Sequence, residues 1–193
     1  MHTYNTLLAA PSAESATLET VGGTKITCTN ESNTGAEYTG LKTVAKIVAF
    51  FTGCETSKIP CNSAGKGSGE ITTNSLSGLL GTEKLGTTPP INNKLEVQLK
   101  AEAGGALAKF TCSTINVEVI GCVAHPVSSG KMLLTATEKF TASKGEQKPD
   151  KFLGGPVDEC ALESNSGTGF EEAGQTITAI VTNEEKIEAN PAA

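Results

Sequence analysis

Apolar residues recur at every second position through much of this chain. Leu95, Val97, Leu99 and Ala101 alternate with Lys94, Glu96, Gln98 and Lys100, and Ile115, Val117, Val119, Gly121 and Val123 repeat the pattern against Asn116 and Glu118. Ile177, Ala179 and Val181 do so again among Thr176, Thr178 and Thr182. Successive side chains of a strand point to opposite faces, so each of these segments reads as a strand with one dry and one wet face. The run Val44 to Phe51 is apolar on both parities apart from Lys46, which predicts a central strand covered on both faces.

Further strands are expected over 16–21, 24–29, 69–73, 75–80, 108–113, 131–140 and 157–163. Clusters rich in Gly, Pro, Asn and Ser separate them, among them Gly22-Gly23, Asn62 to Gly69, Pro89-Pro90, Gly104-Gly105, Ser128 to Gly130 and Ser164 to Gly169. Helix formers gather only at Glu171 to Ala173, cut short by Gly174, and at Glu184 to Ala189, ended by Asn190-Pro191; the latter is expected to be a last strand or a tail. The stretch Lys139 to Lys151, with four Lys and a Pro, is expected to be a long exposed, mobile loop. About ten short strands with turn signals between them predict an all-β fold, a single antiparallel β-sandwich or barrel.

The length of 193 residues suits one domain with a real core. The segment Leu7 to Ala13 resembles the tail of a secretion signal, a short apolar run followed by small residues. Residues 1–15 are therefore expected to be an N-terminal tail or signal-peptide remnant, and 16–193 a single β domain. No apolar run approaches the roughly 20 residues of a membrane-spanning helix.

Six cysteines form an even set with no C-x-x-C pair: Cys28, Cys54, Cys61, Cys112, Cys122 and Cys160. Structural zinc asks for closely spaced Cys or His pairs, so disulfides formed in an oxidising compartment are the better expectation. Strand parity suggests the pairing. Cys28 shares the parity of Ile26, and Cys112 that of Ala108 and Phe110, which predicts a Cys28–Cys112 bridge through the core. Cys54 and Cys61 would close the short loop from Glu55 to Pro60, leaving Cys122 for Cys160.

All 15 basic residues are Lys, the only Asp are Asp150 and Asp158, and the formal net charge is −6. Phosphate contacts need clustered Lys or Arg, and base reading leans on the Arg fork, so nucleic acid is not an expected partner. Attachment to an anionic membrane is disfavoured for the same reason. The Gly-rich segment Ser63 to Gly69 lacks P-loop spacing and a following helix, and no Asp-rich loop signals calcium. No metal or cofactor is expected. Asn30-Glu31-Ser32 matches a glycosylation sequon.

Two constellations were weighed for catalysis. His125, in Cys-Val-Ala-His-Pro, is the one histidine placed to act as a base, and its position before Pro126 predicts an exposed turn. Asp158, Glu159, Glu171 and Glu172 are candidates for a glycosidase-type acid pair, but a chain with no Trp and two Tyr has little on which to stack a sugar. Both constellations read more simply as turn and loop residues, and the expected protein is not an enzyme.

Four segments carry a family resemblance: Phe51-Thr52-Gly53-Cys54-Glu55; Pro60-Cys61-Asn62-Ser63-Ala64-Gly65 running on to Gly69-Glu70-Ile71; Lys148-Pro149-Asp150-Lys151-Phe152 with Gly154-Gly155-Pro156; and Phe170-Glu171-Glu172-Ala173-Gly174 before Thr182-Asn183-Glu184-Glu185. On these the chain, from about Thr24 onward, resembles a family of uncharacterised secreted bacterial proteins. The resemblance implies secretion and β structure, and no activity or ligand.

Two functions fit such a chain. One is a secreted, non-enzymatic structural or interaction module, assembling with itself or with another extracellular protein at the cell surface or in the extracellular matrix. The alternative is a β-barrel carrier of a small apolar or amphipathic ligand, with Val44 to Phe51 lining its cavity. Interior volume separates them: the many small Ala, Val, Thr and Gly side chains could leave a barrel partly empty.

Overall fold

The computed structural model describes residues 15–34, 36–84, 94–128, 131–153 and 159–189. Those residues form sixteen strands and no helix: β1 (Ala16–Thr20), β2 (Lys25–Cys28), β3 (Asn30–Thr34), β4 (Glu37–Tyr38), β5 (Thr43–Thr52), β6 (Glu55–Thr56), β7 (Ile59–Asn62), β8 (Ile71–Thr72), β9 (Leu76–Lys84), β10 (Lys94–Ala101), β11 (Ala106–Cys112), β12 (Ile115–Pro126), β13 (Leu133–Ser143), β14 (Glu146–Lys148), β15 (Leu162–Asn165) and β16 (Phe170–Ile187). The all-β expectation holds. The strand count exceeds ten because short segments such as β3, β4, β6 and β14 carry little apolar periodicity of their own. The expected tail over 1–15 lies almost wholly outside the described residues, as does the Pro89-Pro90 turn.

Every pairing is antiparallel, and eight strands close on themselves in the order β12-β15-β16-β1-β2-β6-β7-β11 and back to β12. Closure leaves this ring without an exposed edge. Two wings grow from it, because β12 and β16 are long enough to change partners along their length. Cys122 to Pro126 of β12 pairs with β10, and from there the sheet continues to β9, β5 and β3. The far end of β16 pairs with β13, which carries β14. The Glu-rich end expected to be a strand or tail thus continues β16 through Ile187.

The switch in β12 falls at Gly121, whose φ is +95°. A Cβ there would run into the carbonyl oxygen of Ala161, so only glycine lets the strand bend out of the ring while β15 stays paired. A second irregularity explains the two-sided apolar run. Lys46 adopts a φ of 59° and the β5–β9 register slips between Val44 and Ile47. This bulge changes the parity, so Val44 and then Ile47 and Ala49 are all buried on the inner side. Ala45, Val48 and Phe50 are only half-buried. The strand is central, as expected, but it is not covered equally on both faces.

The disulfides are Cys28–Cys54, Cys61–Cys112 and Cys122–Cys160. The expected pairings of Cys28 with Cys112 and of Cys54 with Cys61 are therefore corrected, and the third stands. Parity placed Cys28 and Cys112 on the inner face correctly. What it missed is that Glu55 to Asn62 is not a loop but a hairpin, β6–β7, turning at Ser57 and Lys58 in left-handed conformations. The hairpin lies between β2 and β11, which sets Cys28 and Cys112 about three ladder spacings, or roughly 14 Å, apart. That is too far for a bridge. Each rim of the hairpin is instead stapled to its outer neighbour. In the chain-entropy account each bridge contributes about 3.5 to 4 kcal/mol.

Two further expectations fail for one reason. Glu96 and Gln98, read as the wet face of β10, are buried. Residues Asp150 to Leu153 and Cys160 lie over them as a strap, Leu153 bridging Thr82 and Cys160 tied to β12 by Cys122–Cys160. Phe152 is fully buried there with Cys122, Ala124 and Cys160, its ring lying against Gly81 where any Cβ would collide. Likewise Lys139 to Lys148 is not a mobile loop but the β13–β14 hairpin. Its Gln147 is buried, donating to Thr141 O at 3.1 Å and accepting from Gln175 N at 3.1 Å.

Candidate functional site

The apolar interior is not filled. Ring and wings together enclose a cavity of about 600 Å³, within the range of small-molecule sites. Alongside Phe51, Leu99 and Phe110, its walls carry shorter side chains at inward positions: Ala16 and Ile26 from the ring, and Val44, Ile47, Ala49 and Val97 from the β5–β9–β10 wing. Side chains of this size on strands spaced for a closed sheet do not reach across to one another. The cavity meets solvent where its lining is exposed, at the β4–β5 turn with Leu41 and Lys42, at Lys131, and along Glu184 to Glu188.

Polar groups inside this apolar wall come from four strands. Glu31 on β3 faces the cavity with its Oε2 sealed from water and unpartnered. Burial and the charge of Glu138 push its carboxyl up to about 7. Glu138 comes from β13, where it shares the inward parity of Ala136 and Phe140. Tyr38 on β4 donates from its hydroxyl to Asn183 Oδ1 of β16 at 2.9 Å. Burial first, and Glu138 second, push its phenol up to about 12, so it remains a donor at neutral pH. The arrangement can hold an apolar body along the walls and a polar head at the Glu31–Glu138 end.

None of these four had been singled out in the sequence. Glu138 and Asn183 were legible in principle, as polar residues at apolar parity positions. Glu31 was not, because β3 reads Asn-Glu-Ser-Asn-Thr with no apolar residue to set its inward face.

The residues weighed for catalysis fall elsewhere. His125, expected in an exposed turn, is buried, because β12 runs on through it to pair with Val97 of β10. Its ring lies 4.8 Å from that of Phe140, its Nδ1 is 3.3 Å from Pro126 O, and its Nε2 stands 3.6 Å from Glu138 Oε1. It thus backs the cavity's acidic end without lining it. Glu171 and Glu172 are consecutive on β16 and point to opposite faces. Glu171 accepts from Gly22 N at 2.8 Å, Glu159 is exposed in the strap, and Asp158 lies outside the described residues. Glu171 and Glu172 are therefore not brought together as a facing pair.

In the Gly-rich turn, Glu70 accepts from Gly67 N at 2.9 Å and so occupies the position an anion would take. Among the described residues no group of three or more His, Cys, Asp or Glu is placed to hold a metal ion. No helix of the described residues is long and apolar enough to cross a membrane.

Compared with protein-family models, with curated proteins and with solved structures, the chain matches none.

Proposed function

We propose that this protein is a binding or carrier protein for a small amphipathic molecule, held in the cavity between the ring and its wings. The observation that carries this reading is the cavity itself: about 600 Å³ of mostly apolar space at the centre of the fold. A polar end, built by Glu31, Tyr38, Glu138 and Asn183, would orient the bound molecule. An interior of this kind is unfavourable to leave empty unless something enters it, since its lining forgoes dispersion contacts. The three disulfides are consistent with an oxidising environment, and with them the proposed setting is outside the cell or at its surface. No catalytic role is assigned.

The test is titration with the neutral apolar dye N-phenyl-1-naphthylamine, paired with native mass spectrometry of gently purified protein. One saturable dye site per chain, with blue-shifted emission, or a co-purified molecule of small mass is the expected result. Concentration-dependent polymers with neither adduct nor dye binding would overturn the carrier reading and favour the self-assembling structural module instead.

A further inference from the structure

The lining carries a charge asymmetry that narrows the class of ligand. The cavity's lysines, Lys42, Lys131 and Lys186, are exposed residues at its opening. Its deeper carboxylates are Glu31 and Glu138, contributed by strands of different wings and close enough that the charge of one raises the other. The same cavity is lined by Tyr38, which donates to Asn183, and by the apolar side chains of Phe140 and Val181. Behind them His125 approaches Glu138, its Nε2 3.6 Å from Oε1. One imidazole cannot offset two carboxylates, and Glu31 Oε2 accepts nothing.

A buried carboxylate without a partner is costly, and the cost is relieved by a cation that brings its own hydrogen-bond donors. An anionic head would add a third negative charge in a low-dielectric site, and a neutral hydroxyl would satisfy one acceptor while leaving the charge. We infer that the ligand is an amphipathic organic cation, an apolar body bearing a protonated amine, whose ammonium sits between Glu31 and Glu138 while its chain fills the Val44, Ile47 and Ala49 side. This rests on the carrier reading above and specifies the ligand of the same cavity.

Competition against N-phenyl-1-naphthylamine at pH 8 tests it, with octylamine, octanol and octanoate as three heads on one chain. Octylamine is expected to displace the dye at a concentration at least about tenfold below octanol, roughly the 1.4 kcal/mol of one charge-assisted contact, with octanoate the weakest. In the combined Glu31→Gln and Glu138→Gln variant the advantage of the amine over the alcohol is expected to collapse to less than about threefold. Octanoate competing as well as octylamine, or an amine preference that survives in the variant, would overturn the inference. Dye that binds but shows no ranking of heads sinks the head-group assignment and leaves the carrier reading standing, whereas dye that does not bind at all sinks both. Should the variant lose its native far-UV circular dichroism, the ranking on the unmodified protein decides.

Discussion

Two regions of this molecule each hold a glutamate with a buried carboxylate oxygen that has no hydrogen-bond partner, and they do so in opposite surroundings. At the cavity, Glu31 borders open volume with its Oε2 unpartnered. Under the strap, Glu96 is fully enclosed beside a packed cluster of Cys122, Ala124, Phe152 and Cys160, and neither of its carboxylate oxygens has a partner. Burial, joined by Glu138 in one case and by Glu83 and Asp150 in the other, pushes both carboxyls up to about 7. The electrostatic signature is therefore the same in both places, and only the space in front of the carboxylate distinguishes a site from a defect in packing. Glu31 borders that space. Nothing can reach Glu96 unless the strap lifts.

The sharpest way to break this comparison is to remove bulk from each side. Phe152→Ala opens a void in a region already packed, and is expected to cost about 3 to 5 kcal/mol. Phe51→Ala, on a half-buried side chain that borders the cavity, is expected to cost less than about 2 kcal/mol, because little new void is created. Urea denaturation of the two variants with disulfides intact measures the difference; equal costs would mean that the cavity is packed in solution.

Next in size is the pH dependence under the strap. The folded-state value of Glu96 lies above its ordinary 4.5, so folding favours the protonated acid. Stability is then highest below about 4.5 and declines as pH rises through about 7, by up to about 3 kcal/mol from this group. Glu96→Gln is expected to remove that share of the decline, leaving the share of Glu31. Urea midpoints at pH 4.5, 6 and 8 read it, and an unchanged slope in the variant would show that Glu96 is solvated or paired.

Adding bulk should reverse the ranking of the two sides. Ala124→Leu pushes side-chain volume into a closed cluster and is expected to cost about 2 kcal/mol. Ala49→Leu grows into the cavity, and its expected cost is under about 1 kcal/mol together with weaker dye binding. Melting temperatures and the dye titration report both. The smallest effect separates the glutamates directly. Saturating octylamine is expected to lower the titration midpoint of Glu31 by about one unit, near 1.4 kcal/mol, and to leave Glu96 unmoved. Carboxyl carbon NMR follows each group, and a shift in both would mean that the amine acts on the whole fold.

Much of the fold was readable before any coordinates. Most expected strands have a counterpart, though that over 157–163 lies partly outside the described residues and its strand begins only at Leu162, and the β12 and β16 alternations mark buried inner faces at Val117, Val119, Ile177 and Val181. The failures are specific. The Lys46 bulge was invisible because an apolar residue on either parity looks the same whether a strand is covered twice or slips register once. The β6–β7 hairpin reads as a disulfide loop from sequence because Cys54 and Cys61 are near each other and its turn residues, Ser57 and Lys58, carry no strong turn signal. The strap was hidden because Glu96 and Gln98 are polar, and their burial is imposed by Phe152 and Cys160, more than fifty residues along the chain.

Local periodicity thus determined that this chain is a β protein, where most of its strands run, and which of their faces turn inward, since side-chain direction in a strand is a property of neighbouring residues. The small size of those inward side chains also made a hollow interior foreseeable. Closure of the ring, the choice of disulfide partners, the covering of β10 and the meeting of Glu31 with Glu138 were decided only by the tertiary structure. Each depends on which distant strands become neighbours, and a two-residue period contains no information about that.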